Sequence, residues 1–152
     1  MIENPTTKIL AEMSLRDFNP NSMITMMGRR HCSLEDVRGA FIHLINKTQR
    51  TMYGKRTNTV LKYLAVAEMN EAHQAHFHTL MDIETEQKEE FLKILYETWI
   101  SLDNGSSIGI TKDIKKAKDG WFKEITDLNG AVSYLFKNHT NQNKHLFIDL
   151  VM

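Results

Sequence analysis

The sequence predicts an α+β fold, a single domain with a largely antiparallel sheet of about five strands and helices packed on it. Two observations lead to this prediction. Short runs of β-forming residues occur in closely linked pairs, and strands joined by short links pair antiparallel. Longer segments between these runs repeat apolar residues at helical spacing. A length of 152 residues, of which 41% are apolar, suits one compact domain with one core.

The first half of the chain predicts a strand, a helix and a hairpin. The apolar run at 23–27 follows an Asn-Pro turn signal and is predicted to be a buried strand. Ser33 heads a capping-box-like arrangement that starts a helix over 33–53. β-forming residues over 60–68 and 76–83 then predict two strands joined by a polar loop.

The second half predicts two more helices and two more strands. Thr85 is predicted to cap a helix whose apolar residues recur every three or four positions. Strands are expected over 108–113 and 121–126, joined by a lysine-rich segment. Asn129 is predicted to cap a last helix over 130–138.

The chain is expected to have three parts. Residues 1–22 are predicted to be an N-terminal segment, and residues 23–140 to be the domain that carries the chemistry. The tail at 141–152 is apolar from His145 onward and has no assigned structure, and a strand, a docking segment and part of a dimer contact remain open for it.

Composition excludes several classes of protein. Nineteen basic and nineteen acidic residues give a net charge of zero, which argues against a binder of nucleic acid by bulk charge alone. A single cysteine, Cys32, excludes an intramolecular disulfide and suits a reducing cytosol. No apolar run approaches the ~20 residues that span a bilayer, and no secretory signal is visible. We therefore expect a cytoplasmic protein with no membrane partner.

A candidate metal site lies in the predicted hairpin. His76 and His78 are two residues apart on a strand, so both imidazoles face the same side of the sheet, with Phe77 behind it. Glu68 ends the neighbouring strand, and cross-strand neighbours have Cβ atoms ~5 Å apart. Two imidazoles and a carboxylate suit Mn²⁺, Mg²⁺ or another first-row ion, with coordination positions left open. The alternative is that both histidines are structural.

A candidate nucleophile lies on the last predicted helix. Tyr134 falls off the apolar face of this helix, and Lys137 is its neighbour three residues later. A phenol that points away from the core can attack a substrate that a metal polarises. Lys137 could bind phosphate or stabilise developing charge. The alternative is an amphipathic surface tyrosine beside a solvated lysine.

Together these residues resemble the HUH endonuclease superfamily, and most of all the rolling-circle replication initiators, the Rep proteins of plasmids and single-stranded DNA viruses. Residues 63–68, followed by a turn and 76–80, look like the second motif of that family with its upstream acidic ligand. Residues 134–137 are similar to the single-tyrosine motif. In the first motif Thr25 is the matching residue, and the resemblance covers roughly 23–140.

The resemblance implies an enzyme that nicks and joins single-stranded DNA. Tyr134 would attack a phosphodiester, form a 5′-phosphotyrosine and release a 3′-hydroxyl, with Lys137 assisting. Glu68, His76 and His78 would hold the divalent Mn or Mg that polarises the scissile phosphate.

The resemblance also implies partners. The substrate would be an origin or a hairpin in single-stranded DNA. A host helicase or a separately encoded helicase would act with this short chain. Because one tyrosine holds one covalent strand at a time, full strand circulation would require either a homodimer or a second event. A viral element would place the protein inside a host cell. Basic residues in predicted loops are expected to contact DNA phosphates, namely Arg29, Arg30, Lys55, Arg56, Lys112 and Lys115. The alternative for each of them is ordinary solvated charge.

Three alternatives remain open. Within the same chemistry, the chain could be a transposase or a relaxase of a mobile element. A different class is a non-catalytic α+β module that binds nucleic acid. A third possibility is a non-haem iron site built from Glu68, His76 and His78.

Overall fold

The computed structural model describes most of the chain, including four α-helices. The described residues are 5–29, 31–56, 61–69, 75–103, 108–109, 121–136 and 145–151. The helices are α1 (Pro5–Leu15), α2 (Leu34–Tyr53), α3 (Lys88–Asp103, after a 3₁₀ turn at Thr85–Gln87) and α4 (Leu128–Leu135). Among these described helices, none combines the length and the apolar character that crossing a bilayer requires.

The strands form one antiparallel sheet. They are β1 (Ser22–Gly28), β2 (Tyr63–Met69), β3 (Ala75–Met81), β4 (Ile108–Gly109), β5 (Phe122–Glu124) and β6 (His145–Val151). Their order is β4-β1-β3-β2-β6, and β5 pairs with β1 beside β4. Every pairing in the described residues is antiparallel. The predicted α+β fold is confirmed. The prediction was about five strands, and the described residues form four strands of seven residues and two shorter strands.

Alternation along the strands divides the sheet into two faces, each with its own core. On one face, α2 and α3 pack against alternate residues of the three central strands. This core includes Ile24, Met26, Phe41, Leu44, Ala65, Ala67, Phe91, Leu95 and Trp99, all of which are buried. On the other face, α1 and α4 pack against the intervening residues. That second core consists of Met13, Phe18, Leu64, Val66, Leu80, Val132, Leu135 and Phe136. The helices therefore sandwich the sheet.

The helix starts follow local capping chemistry, with two departures from the prediction. Ser33 caps α2 as predicted, because its Oγ accepts a hydrogen bond of 3.1 Å from the Asp36 N–H. Thr85 lies inside the 3₁₀ turn instead of capping α3, so that prediction is wrong. The cap of α4 is Asp127, whose backbone is extended, and not Asn129. α4 also ends at Leu135, earlier than predicted.

The first and last described segments are both part of the folded domain. Residues 5–15 form a helix that the sequence did not predict, and Met13 of this helix is buried against the sheet. The tail forms β6, which pairs with β2 along its length. The predicted boundaries after residues 22 and 140 stay a prediction. In the structure, α1 packs on the sheet and β6 is one of its strands.

The two predicted strands of the second half do not form a hairpin with each other in the described residues. β4 pairs with β1 at Met27 and Gly28, whereas β5 pairs with β1 at Ser22–Ile24. Both short strands therefore extend the same edge of β1, and β1 becomes an interior strand that lies between them and β3.

Asn21 joins the beginning of β1 to the segment after β3. Its Nδ2 donates to the Ile83 carbonyl at 2.6 Å, and its Oδ1 accepts from the Ile83 N–H at 3.1 Å and from the Ser22 hydroxyl at 2.8 Å.

Because Asn21→Ala leaves these partly buried groups unpaired, we expect it to lower the free energy of unfolding by about 1–3 kcal/mol. Urea denaturation measures this change. The matched control is Asn19→Ala, at an exposed position, with an expected change within about 0.5 kcal/mol. Equal stability of the two variants would contradict the assignment.

Candidate functional site

His78 lies at the centre of the candidate site and is buried. It is the fourth residue of β3, and the residue is 8% exposed. Its Nδ1 is 2.9 Å from the Thr25 Oγ1 on the neighbouring strand β1. Burial and the contact with Thr25 limit the orientations that this imidazole can adopt. Such a constraint suits a metal ligand and a structural histidine equally.

The sheet register brings the predicted metal ligands to the same face. Glu68 of β2 pairs directly with His76 of β3, and His78 pairs with Val66. Val66 belongs to the core under α1 and α4, so the backbone register assigns positions 68, 76 and 78 to the side of the sheet that those helices cover. The structure describes the backbones of Glu68 and His76 and leaves their side chains undescribed. The site that the sequence predicts requires this register, and the site itself stays a prediction.

Tyr134 approaches this face from α4. Val132, Leu135 and Phe136 are buried against the sheet and dock the helix, whereas Tyr134 is 42% exposed. Its ring meets the ring of His78 edge to face, with centroids 5.1 Å apart and planes at 72°. The tyrosine and the histidine that the sequence predicted to act together are therefore in contact.

The donor set fits a divalent metal. Two imidazoles and one carboxylate are ligand types that Mn²⁺ and similar ions accept, and the register gives these residues positions on one face of adjacent strands. Three protein ligands would leave coordination positions for a phosphate oxygen or water. The described side chains contain no group of three histidines, cysteines or acids that could hold a metal. That finding does not include the Glu68 and His76 side chains. The metal site therefore stays a prediction, supported by the register.

The basic residues that the sequence predicted to act at the site do not all lie near it. Arg29 follows directly after β1, at the end where Met27 pairs with His76, and therefore lies at the same end of the sheet as the candidate site. Lys55 and Arg56 are exposed but follow the end of α2, which packs on the opposite face. The remaining predicted residues lie outside the described residues, namely Arg30, Lys112, Lys115 and Lys137.

Lys55 and Arg56 are also at the opposite end of the sheet from Glu68. A hydrogen bond of 2.9 Å from the Leu61 N–H to the Gln49 Oε1 ties the last turns of α2 to the start of β2. Glu68 is roughly 16 Å further along that strand from its first residue, Tyr63. The structure therefore does not bring these two residues to the candidate site.

Sequence reasoning missed two neighbours of the site. Thr25 was noted as a match to a motif, but its contact with His78 depends on the pairing of strands far apart in sequence. The β6 backbone brings His145 opposite Glu68, after a shift in register between Ala67 and Glu68. The lone apolar run that contains His145 carried no signal for this pairing, because a strand can be placed only once its partner is known.

No protein family, curated protein or solved structure shows significant similarity to this chain. The resemblance to HUH endonucleases therefore depends on the residues and geometry described above.

Metal binding can be tested without any DNA. A cation at 100 times its dissociation constant stabilises a folded protein by about 2.7 kcal/mol. We expect Mn²⁺ to raise the melting temperature of the wild-type protein, and Glu68→Gln or His76→Gln to remove most of that rise by removing a donor. Differential scanning calorimetry with and without Mn²⁺ measures it.

The matched control is His43→Gln. His43 is exposed on α2, on the other side of the sheet, so its loss should leave the Mn²⁺ effect intact. A rise as large in His76→Gln as in the wild type would contradict a metal site at this face.

Proposed function

We propose that this protein is a metal-dependent endonuclease that nicks and rejoins single-stranded DNA through a 5′-phosphotyrosine and so initiates rolling-circle replication. The observation that carries the proposal is the contact between the rings of Tyr134 and His78. It brings a partly exposed phenol onto the face of the sheet where an HxH pair and a glutamate lie in register.

A comparison of the four tyrosines supports Tyr134 as the nucleophile. Tyr53, Tyr63 and Tyr96 all belong to the core under α2 and α3, on the opposite face from the histidines. Burial raises the pKa of Tyr53, and the charge of Glu84 raises it further, so its reactive phenolate is disfavoured. Tyr134 combines exposure with proximity to the candidate ligands.

The proposed reaction conserves the phosphodiester energy. The Tyr134 oxygen forms a bond to phosphorus, the bond from phosphorus to the 3′ oxygen breaks, and the phenolic proton ends on the released 3′-hydroxyl. A divalent cation on Glu68, His76 and His78 would make the phosphate more electrophilic. Lys137 would stabilise the charge that develops on the phosphate. Attack by a later 3′-hydroxyl reverses the step and reseals the strand.

The proposal has implications for partners and location. Because α4 contains a single tyrosine, one protomer can hold one covalent strand at a time, and a homodimer would provide a second. A separate helicase would supply single-stranded DNA. The site of action would be the cytoplasm, or the interior of a host cell for a viral element. A transposase or relaxase would use the same chemistry on element ends or transfer origins.

The nucleophile can be identified by trapping the covalent intermediate. A pool of single-stranded oligonucleotides with a randomised centre is incubated with the protein and Mn²⁺, and is then run on a denaturing gel. We expect a DNA adduct that carries a 3′-end label and lacks a 5′-end label, because the phosphotyrosine retains the downstream fragment. Tyr134→Phe should abolish it.

Tyr96→Phe is the matched control, since it removes a phenolic oxygen from the other face and keeps the ring. The adduct should persist in this variant and disappear when EDTA replaces Mn²⁺. Survival of the adduct in Tyr134→Phe, or no adduct from the whole pool with the wild type, would refute the proposal.

The position of Arg29 predicts a difference among the basic residues. It lies at the site end of β1, whereas Lys55 follows the end of α2 on the other face. We expect Arg29→Ala to weaken single-stranded DNA binding and to reduce the slope of log K against log salt by about 0.7, the change for one lost phosphate contact.

The control, Lys55→Ala, should change neither the affinity nor the slope. Fluorescence anisotropy over a salt series measures both variants. A larger effect from Lys55→Ala would show that DNA follows a different face of the protein.

A further inference from the structure

We propose that Thr25 is a positioning residue that holds the His78 imidazole with Nε2 as its metal-binding nitrogen. This inference rests on the metal site of the proposed function and adds a residue to it. It is carried by the distance of 2.9 Å between Thr25 Oγ1 and His78 Nδ1.

The hydrogen bond with Thr25 can run in either direction, and only one direction leaves a ligand. A neutral imidazole carries its proton on one nitrogen and a lone pair on the other. If Nδ1–H donates to the Thr25 oxygen, the lone pair is on Nε2 and can bind a metal. If the hydroxyl donates to Nδ1, Nε2 carries the proton and cannot bind. A metal on His78 therefore requires Thr25 to accept.

The backbone of β1 holds Thr25 close to His78. The Thr25 N–H donates to the Trp121 carbonyl at 2.8 Å, so the polar backbone groups of Thr25 point toward β5 and away from β3. Thr25 and His78 are consequently a non-hydrogen-bonded pair, the type of pair in which opposite side chains are closest.

Trp121 gives this arrangement a rigid support. Its ring is buried, stacks on Tyr96 with centroids 6.2 Å apart, and meets Trp99 edge to face at 6.3 Å. The hydroxyl of Thr25 therefore acts from a fixed backbone. Groups of this kind, which hydrogen-bond the second nitrogen of a ligand histidine, fix its tautomer and raise its basicity.

The test measures the tautomer of His78 directly. Long-range ¹H–¹⁵N NMR on the metal-free protein, with the imidazole neutral, distinguishes a proton on Nδ1 from one on Nε2. We expect the Nδ1–H form in the wild type and in Thr25→Ser, which keeps the hydroxyl. We expect Thr25→Val, which keeps the shape, to shift His78 toward the Nε2–H form and to weaken Mn²⁺ binding by about 10- to 100-fold.

Thr79→Val is the matched control. Thr79 neighbours His78 on β3, is buried on the opposite face, and its hydroxyl has no hydrogen-bond partner among the described residues. This variant should keep the wild-type tautomer and Mn²⁺ affinity. An Nε2–H tautomer in the wild type, or an unchanged tautomer and affinity in Thr25→Val, would overturn the inference.

The two proposals fail separately. A protein whose Mn²⁺ affinity and His78 tautomer depend on Thr25 but that forms no DNA adduct would keep the positioning role and refute the nuclease. A protein that forms the adduct through Tyr134 with no dependence of the tautomer on Thr25 would do the reverse.

Discussion

The site depends on one constraint, the register in which β3 lies between β1 and β2. This register sets Glu68 opposite His76 and Thr25 opposite His78, all on one face. Because side chains alternate along a strand, a slip of one residue would turn the histidines toward α2 and α3. The apolar residues that alternate with the site residues oppose such a slip, since it would take them out of the core under α2 and α3 and put the histidines in their place. The core and the site are therefore specified by the same pairing.

The position of Tyr134 depends on a second contact, the docking of α4. An isolated helix of eight residues is unstable in water, so α4 exists because its apolar side packs on the sheet. Burial of side chains such as Leu135 and Phe136 contributes about 1.5–3 kcal/mol each. The tyrosine lies beside these residues and meets His78 as a consequence of their packing. Substitutions that loosen α4 should therefore affect the ring contact even when Tyr134 itself is unchanged.

The parts of the site that could be predicted from sequence are those that depend on local spacing. The common face of His76 and His78 follows from the two-residue period of a strand, and the pairing with Glu68 follows from one hairpin. Thr25 lies 53 residues from His78, and no local pattern reports that contact. The tail that forms β6 gave no signal for a related reason, since its partner strand is far away in sequence. α1 was missed because few of its residues are buried, and its apolar pattern is weak.

A purely structural role for His78 explains only part of the geometry. Burial, the hydrogen bond with Thr25 and the contact with Tyr134 are all compatible with a histidine that merely fills a gap between β1 and α4. Such a role gives no reason for a glutamate directly opposite the second histidine on the same face. It also gives no reason for the exposed tyrosine of the chain to lie over that face while the other three pack behind the sheet. A metal-assisted nucleophile accounts for the glutamate, both histidines and the tyrosine together, which is why we favour it.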